Sequence, residues 1–347
     1  TGPYAEPLVH FLSEKRVHIV QINPMHTKRL KELQGNSPLK TDPKDTKVIA
    51  DVMSLGHALT VVIPRGAAAE LRRLTLARER AVGQRTRFSN QLTSLVYISF
   101  PEFMHVMHGL RTKTARYLLS NFPTPQAIGA LGLDKLAGII KQVSRGRISP
   151  DRAEALLKRA RDSVGIKEGL DSITLEITTL LSWIERSDHY IGELESLMES
   201  ALLKIPYSRY LLSIKGLSTV TSAGLIGEVG DFTQFKTIRE IVKYAGLDLY
   251  EISSGKTKTG NRRISKRGRS LMRKLLFFAS INMVKKDGVM YRKYRDYLDR
   301  GMPKMKALVA IMKKVLILVY ALVRDSSVYV ENYQEHKAAK YLMKEAA

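Results

Sequence analysis

Three residues stand in settings that suit chemistry. Asp42 and Asp45 lie three positions apart in "TDPKD", and Ser254 precedes a glycine in "SSGKTKTG". On a helix, carboxylates at i and i+3 project from one face, close enough to share a hard cation such as Mg²⁺. The same spacing also serves as helix punctuation. Asp42 is a favoured N-cap, Pro43 fits the first helical position and Asp45 suits the helix dipole. Local spacing leaves both readings open. Ser254 has a hydroxyl that can act as a nucleophile, although by spacing alone it is a serine in a loop. The eight histidines form no HExxH or other paired ligand spacing. No cysteine occurs, which excludes a thiolate nucleophile, a disulfide and a cysteine-based zinc site, and suits a reducing compartment such as the cytoplasm.

Around Ser254 the chain is strongly basic. Lys256, Lys258, Arg262, Arg263, Lys266, Arg267, Arg269, Arg273 and Lys274 surround three glycines between Ser253 and Leu276. Flexible backbone with so many cations suits phosphate contact, against the simpler reading of a solvated charge run. The whole chain repeats the bias: 57 Lys and Arg against 33 Asp and Glu leave a formal charge of +24. Such an excess favours a polyanionic partner, and its spread along the chain favours nucleic acid over a membrane surface. The longest apolar run, "VLILVYALV" from Val315 to Val323, is flanked by charges and too short to span a bilayer, so it is expected to be a buried helix. The start, "TGPYAEPLVHF", lacks the pattern of a signal peptide.

The elements that must position these residues fall into three regions and a tail. Residues 1–66 alternate in period: "EPLVHFLSEK" is helical, "VHIVQINP" and "LTVVIP" are strands, and the helix from Asp42 presents Val48, Ile49, Val52 and Met53 on one face. Two strands do not make a complete sheet, so this α/β region is incomplete. Residues 67–205 hold a long arginine-rich helix from about Ala67 to Tyr97 and a second from about Ile166 to Leu203. In the second, Leu170, Ile173, Ile177, Leu180, Ile184, Ile191, Leu194, Met198 and Ala201 alternate spacings of three and four, the seam of a coiled coil. Residues 206–333 form a compact, mostly helical region, and 334–347 a helical tail. Within the third region, "SIKGLSTVTSAGLIGEVGDF" reads as helix, turn, helix. As a helix-hairpin-helix, the turn at Gly216 and Ser218 would hold a phosphate on backbone N–H groups; as a plain αα-hairpin it would not.

Taken together, these segments resemble a known family. "TGPYAEPLVHFL", the stretch from "INPMHTKRL" to "TDPKDTKVIADVM" and "VVIP" look like the end of the RuvC-like, RNase H-like DEDD domain of insertion-sequence transposases related to Piv-type DNA invertases. "IKGLSTVTSAGLIGEVGDF" through "RRISKRGRSLMRKLL" is similar to their C-terminal transposase domain. The resemblance implies a DNA recombinase, in some members guided by a structured RNA. It implies that Asp42 and Asp45 are the last two of four acids holding Mg²⁺, and that Ser254 attacks a DNA phosphodiester. It further implies a dimer or tetramer built through the coiled coils, acting at the nucleoid. The first Asp and the Glu of the family pattern are absent from these residues, so half a metal site is expected here. The rival expectation is a noncatalytic nucleic-acid-binding copy of a transposase, and a purely structural coiled-coil protein is a third.

Overall fold

The computed structural model describes residues 3–34, 42–56, 58–250, 253–254, 257–258 and 263–331. In chain order it opens with α1 (Glu6–Glu14), β1 (Val20–Ile22), α2 (Pro24–Gln34), α3 (Asp42–Ser54), β2 (Ala58–Thr60) and α4 (Gly66–Ser99). Next come α5 (Pro101–Met107), α6 (Lys113–Asn121), α7 (Pro125–Gly129), α8 (Leu133–Ser144), α9 (Asp151–Arg161) and α10 (Leu170–Leu203). Beyond these lie α11 (Ser208–Leu212), α12 (Thr219–Val229) and α13 (Ile238–Ala245). Four two-residue strands follow, β3 (Leu249–Tyr250), β4 (Ser253–Ser254), β5 (Thr257–Lys258) and β6 (Arg263–Ile264), and then α14 (Ser270–Met283), α15 (Tyr291–Asp299) and α16 (Lys304–Arg324). The fold is mixed but mostly α. It divides into one unit of residues 1–72 with 205–347 and another of residues 73–204.

In the first unit the apolar helices set the core. All residues of α12 from Thr221 to Val229 are buried, as are Met272, Leu276 and Met283 of α14 and Ile311, Val315, Leu316 and Val319 of α16. The apolar run from Val315 therefore is a core helix, and among the described residues no helix is long and apolar enough to cross a membrane. β1 and β2 pair antiparallel, Val20 opposite Thr60 and Ile22 opposite Ala58, as a two-stranded sheet. On α3 the face narrows relative to the sequence reading. Val48 and Val52 are buried, while Ile49 and Met53 are 43% and 46% exposed, because a helix packed from one side covers only the i, i+4 row.

α4 meets α12 through Gly227. A Cβ built there would lie 2.7 Å from the Arg72 amide nitrogen and 2.9 Å from its Cα, so only glycine lets these two backbones approach.

The second unit is a helical cluster. Leu92 and Val96 of α4 share one core with Ile177, Leu180 and Ile184 of α10 and with α5 to α9, and Ala81 packs with Ile191 and Leu194. The α10 seam is thus met by α4 of the same chain over this stretch. Charged pairs follow the contact: Arg78 donates to Glu195 at 2.7 Å, and Arg85 and Arg116 grip Asp188 at 2.7 and 2.8 Å. Partial burial alone would raise the Asp188 carboxyl, but those two guanidinium groups hold it below the usual aspartate range. Trp183 packs on Phe88 with ring centroids 5.1 Å apart yet stays 45% exposed. The helix begins at Leu170 rather than near Ile166, since Gly169 takes a left-handed backbone at the cap. The tail beyond Glu331 lies outside the described residues.

Candidate functional site

The basic segment is a two-stranded ribbon on a braced stalk. β3 pairs antiparallel with β6, Leu249 opposite Ile264 and Tyr250 opposite Arg263. Further out β4 pairs with β5, Ser253 opposite Lys258 and Ser254 opposite Thr257. Gly255, Lys256 and Arg262 lie outside the described residues, as do the side chains of Ser253, Ser254 and Lys258.

Below β3 and β6 the two chains stay together. Ser265 N donates to Asp248 O at 2.9 Å, Lys266 N to Gly246 O at 3.1 Å and Arg269 N to Tyr244 O at 3.0 Å. The Ser265 hydroxyl donates to the Asp248 carboxylate. At Gly268 the chain runs so close to the end of α13 that a Cβ would lie 2.3 Å from Tyr244 O. The result is a stalk running from the end of α13 to the start of α14.

One buried acid anchors its foot. Glu228 of α12 is 2% exposed, and Arg269 donates to both its carboxylate oxygens, at 2.7 and 3.0 Å. The Tyr244 hydroxyl donates to Glu228 O at 2.8 Å, and burial pushes that phenol up to about 12. Burial would lower the Arg269 guanidinium, but the hydrogen bonds to Glu228 outweigh it and hold it raised. Arg72 lies within electrostatic reach of this pair, and burial, then Arg269, lower its pKa. Arg273 donates to Ala245 O at 3.0 Å. So Arg269 and Arg273 brace the stalk, whereas Arg263, Lys266 and Arg267 remain exposed on it. Sequence reasoning grouped all five as phosphate contacts and passed over Glu228, Tyr244 and Asp248. The one available signal for Glu228 was a single acid inside the apolar run "AGLIGEVG".

The other expected positions lie elsewhere. Ser218 caps α12, its hydroxyl accepting from Thr221 N at 3.2 Å, and Gly216 has φ 96 with Met283 Cγ 3.1 Å from where a Cβ would stand. The turn at Gly216 and Ser218 thus joins α11 to α12 and rests against Met283 of α14. Asp42 starts α3, its side chain outside the described residues, and Asp45 is one turn on, paired with Lys31 of α2. No group of three or more His, Asp or Glu able to hold a metal occurs among the described residues. Lys31 shares the Asp45 carboxylate, and Asp42 and Asp45 alone are fewer donors than a divalent cation takes.

Two transposase family models match the chain. A family model described as Transposase IS116/IS110/IS902 family matches residues 208–295, and a transposase model of the DEDD IS110 type matches residues 1–101. By its domains the chain is a DEDD-type insertion-sequence transposase. More narrowly, it belongs to the IS110/IS116/IS902 family. A Streptomyces coelicolor mini-circle protein named as a transposase for IS117 is 26% identical over 81% of this chain and 70% of its own length. An IS110 protein of the same organism is 25% identical over 84% and 72%, and an IS900 protein of Mycobacterium paratuberculosis 24% over 84% and 73%.

Proposed function

We propose that the chain cleaves and rejoins DNA strands for an insertion sequence, with Ser254 as the attacking hydroxyl. What carries this reading is the stalk. It is braced by a buried ion pair and carries exposed Arg263, Lys266 and Arg267, and Ser253 and Ser254 lie between its two chains in sequence. In the proposed step, the serine oxygen bonds to phosphorus as one bridging phosphorus–oxygen bond breaks. The serine proton is released and the departing sugar oxygen takes up a proton. One phosphodiester becomes another, so a second strand's hydroxyl can reverse the step without an added energy source. Lys256, Lys258, Arg262, Arg263, Lys266 and Arg267 hold the backbone phosphates, while Gly216 and Ser218 flank a further backbone contact.

The DEDD type carries a requirement for a divalent metal, and Asp42 and Asp45 stand at the matching motif. Asp42 and Asp45 would hold the cation together with further donors, and it would polarise the reacting phosphate. Self-association is part of the reading: Leu175, Tyr190 and Leu197 of α10 stay 68%, 47% and 52% exposed after its other face has met α4. A structured guide RNA is the further partner, and the bacterial nucleoid the place of action. The domains are then residues 1–66, 67–205 and 206–333.

A strand-transfer assay with Mg²⁺ tests the mechanism. Ser254→Ala should abolish product while leaving DNA affinity within about twofold, and Ser253→Ala should not. Full activity of Ser254→Ala removes the serine mechanism. The Lys31–Asp45 pair favours a second reading, a noncatalytic nucleic-acid-binding protein, which predicts salt-sensitive binding and no cleavage with any divalent metal.

A further inference from the structure

The turn between α8 and α9 lies at residues 145–150, between the two regions matched by transposase models. It is firmly held. Leu136 and Ile140 of α8 and Ala153, Leu156 and Leu157 of α9 enter one hydrophobic core, with Ile148 of the turn packed partly against it. Gly146 N donates to Lys141 O at 2.9 Å, and Ile148 N to the Ser144 hydroxyl at 3.4 Å. On this frame Arg145 and Arg147 are exposed and Arg152 is half-buried.

Arg78, Arg85 and Arg116 each reach a carboxylate, whereas Arg145, Arg147 and Arg152 make no ion pair or side-chain hydrogen bond among the described residues. Arg80, Arg87, Arg111, Arg161 and Arg186 of this unit are also without an ion pair among the described residues, but at this turn three such arginines fall within the span 145–152. Asp151, the acid nearest in sequence, accepts from the Ser149 hydroxyl instead. Arg145 takes φ 55 as the left-handed C-cap that ends α8, which fixes where the turn begins. Three unmatched guanidinium groups on a rigid turn suit an anion with paired oxygens. A turn also offers no long helix face to lie in a groove.

We infer that the α8–α9 turn is a second nucleic-acid contact, in which Arg145, Arg147 and Arg152 hold backbone phosphates of duplex DNA without reading its bases. This goes beyond the serine mechanism and does not depend on it. DNA is the partner because both family models that match the chain are transposase models, and a transposase acts on DNA.

The test is binding of the whole 347-residue chain to two duplexes of unrelated sequence, from about 50 to 200 mM salt. Each phosphate contact contributes about 0.9 to the slope of log affinity against log salt. The R145Q/R147Q/R152Q variant should flatten the slope by about 3, weaken both duplexes equally and still melt as the parent does, while R145K/R147K/R152K keeps most of the slope. If the Gln triple variant is unfolded, R145Q/R147Q, confined to exposed positions, should flatten it by about 2. An unchanged slope in the folded variant overturns the inference. So does a loss confined to one sequence, or one seen with a structured RNA but not with duplex DNA.

Discussion

Glu228 carries its negative charge where water does not reach, and Arg269 answers it with two hydrogen bonds. A buried pair of this kind adds little over an apolar pair, but removing one partner strands the other. Glu228→Ala should therefore lower stability by about 3–5 kcal/mol, read from the denaturant midpoint, and Glu228→Gln by less. A double-mutant cycle with Arg269→Ala should return a coupling above about 1 kcal/mol, and additive losses would show that the two groups do not act as a pair. The same pairing separates Arg269 from its neighbours on the stalk. Arg269→Gln should leave the salt dependence of DNA binding unchanged, since Glu228 already matches its charge, whereas Arg267→Gln should reduce the slope by about 1.

Elements meet in two contrasting ways in this chain. Where α4 crosses α12, contact is backbone to backbone at Gly227, and a methyl group has no side chain to push aside. Gly227→Ala should cost about 1–3 kcal/mol in thermal or denaturant unfolding, and an unchanged midpoint would mean that the helices separate freely. Where α4 runs along α10, long side chains bridge the gap, and Asp188 gathers two arginines. Its carboxyl is held below the ordinary value of about 3.9, so the ionised pair stabilises above that pH and the contribution fades as pH falls through the lowered value. Because the group is partly exposed, the contribution at neutral pH is about 1 kcal/mol or less. The melting-temperature gap between the parent and Asp188→Asn should shrink on acidification below about pH 4. A gap that stays constant with pH would rule this out.

Across the whole molecule, 57 Lys and Arg against 33 Asp and Glu leave 24 cations without an acid to answer them even if every acid were paired. Nucleic-acid affinity should thus be dominated by displaced counterions. If Lys256, Lys258, Arg262, Arg263, Lys266 and Arg267 each meet a phosphate, the ribbon alone gives a slope near −5. Replacing Arg263, Lys266 and Arg267 by Gln should lower its magnitude by about 3, measured by anisotropy across salt concentrations. Equal affinity at low and high salt would exclude a phosphate-led interface.

Periodicity and charge made much of this chain legible without coordinates. The apolar repeat specifies α4, α10 and α16, because hydrophobic period is a local property, whereas the segment around "SSGKTK" reads as a loop and its pairing of Ser253 with Lys258 came only from the fold. The cluster of cations at residues 256–274 was equally plain. Which of them are spoken for was not: Arg269 and Arg273 differ from Arg267 only through Glu228 and Ala245 O, distant in sequence and brought near by α12 and α13. The α10 seam likewise showed that a partner helix exists, while the fold decided that over Ile177 to Leu194 the partner is α4 of the same chain. The sequence by itself determined the helical framework, the basic character and the transposase domains. Only the tertiary structure decided which charges are matched, since pairing depends on distances across the fold that no local pattern encodes.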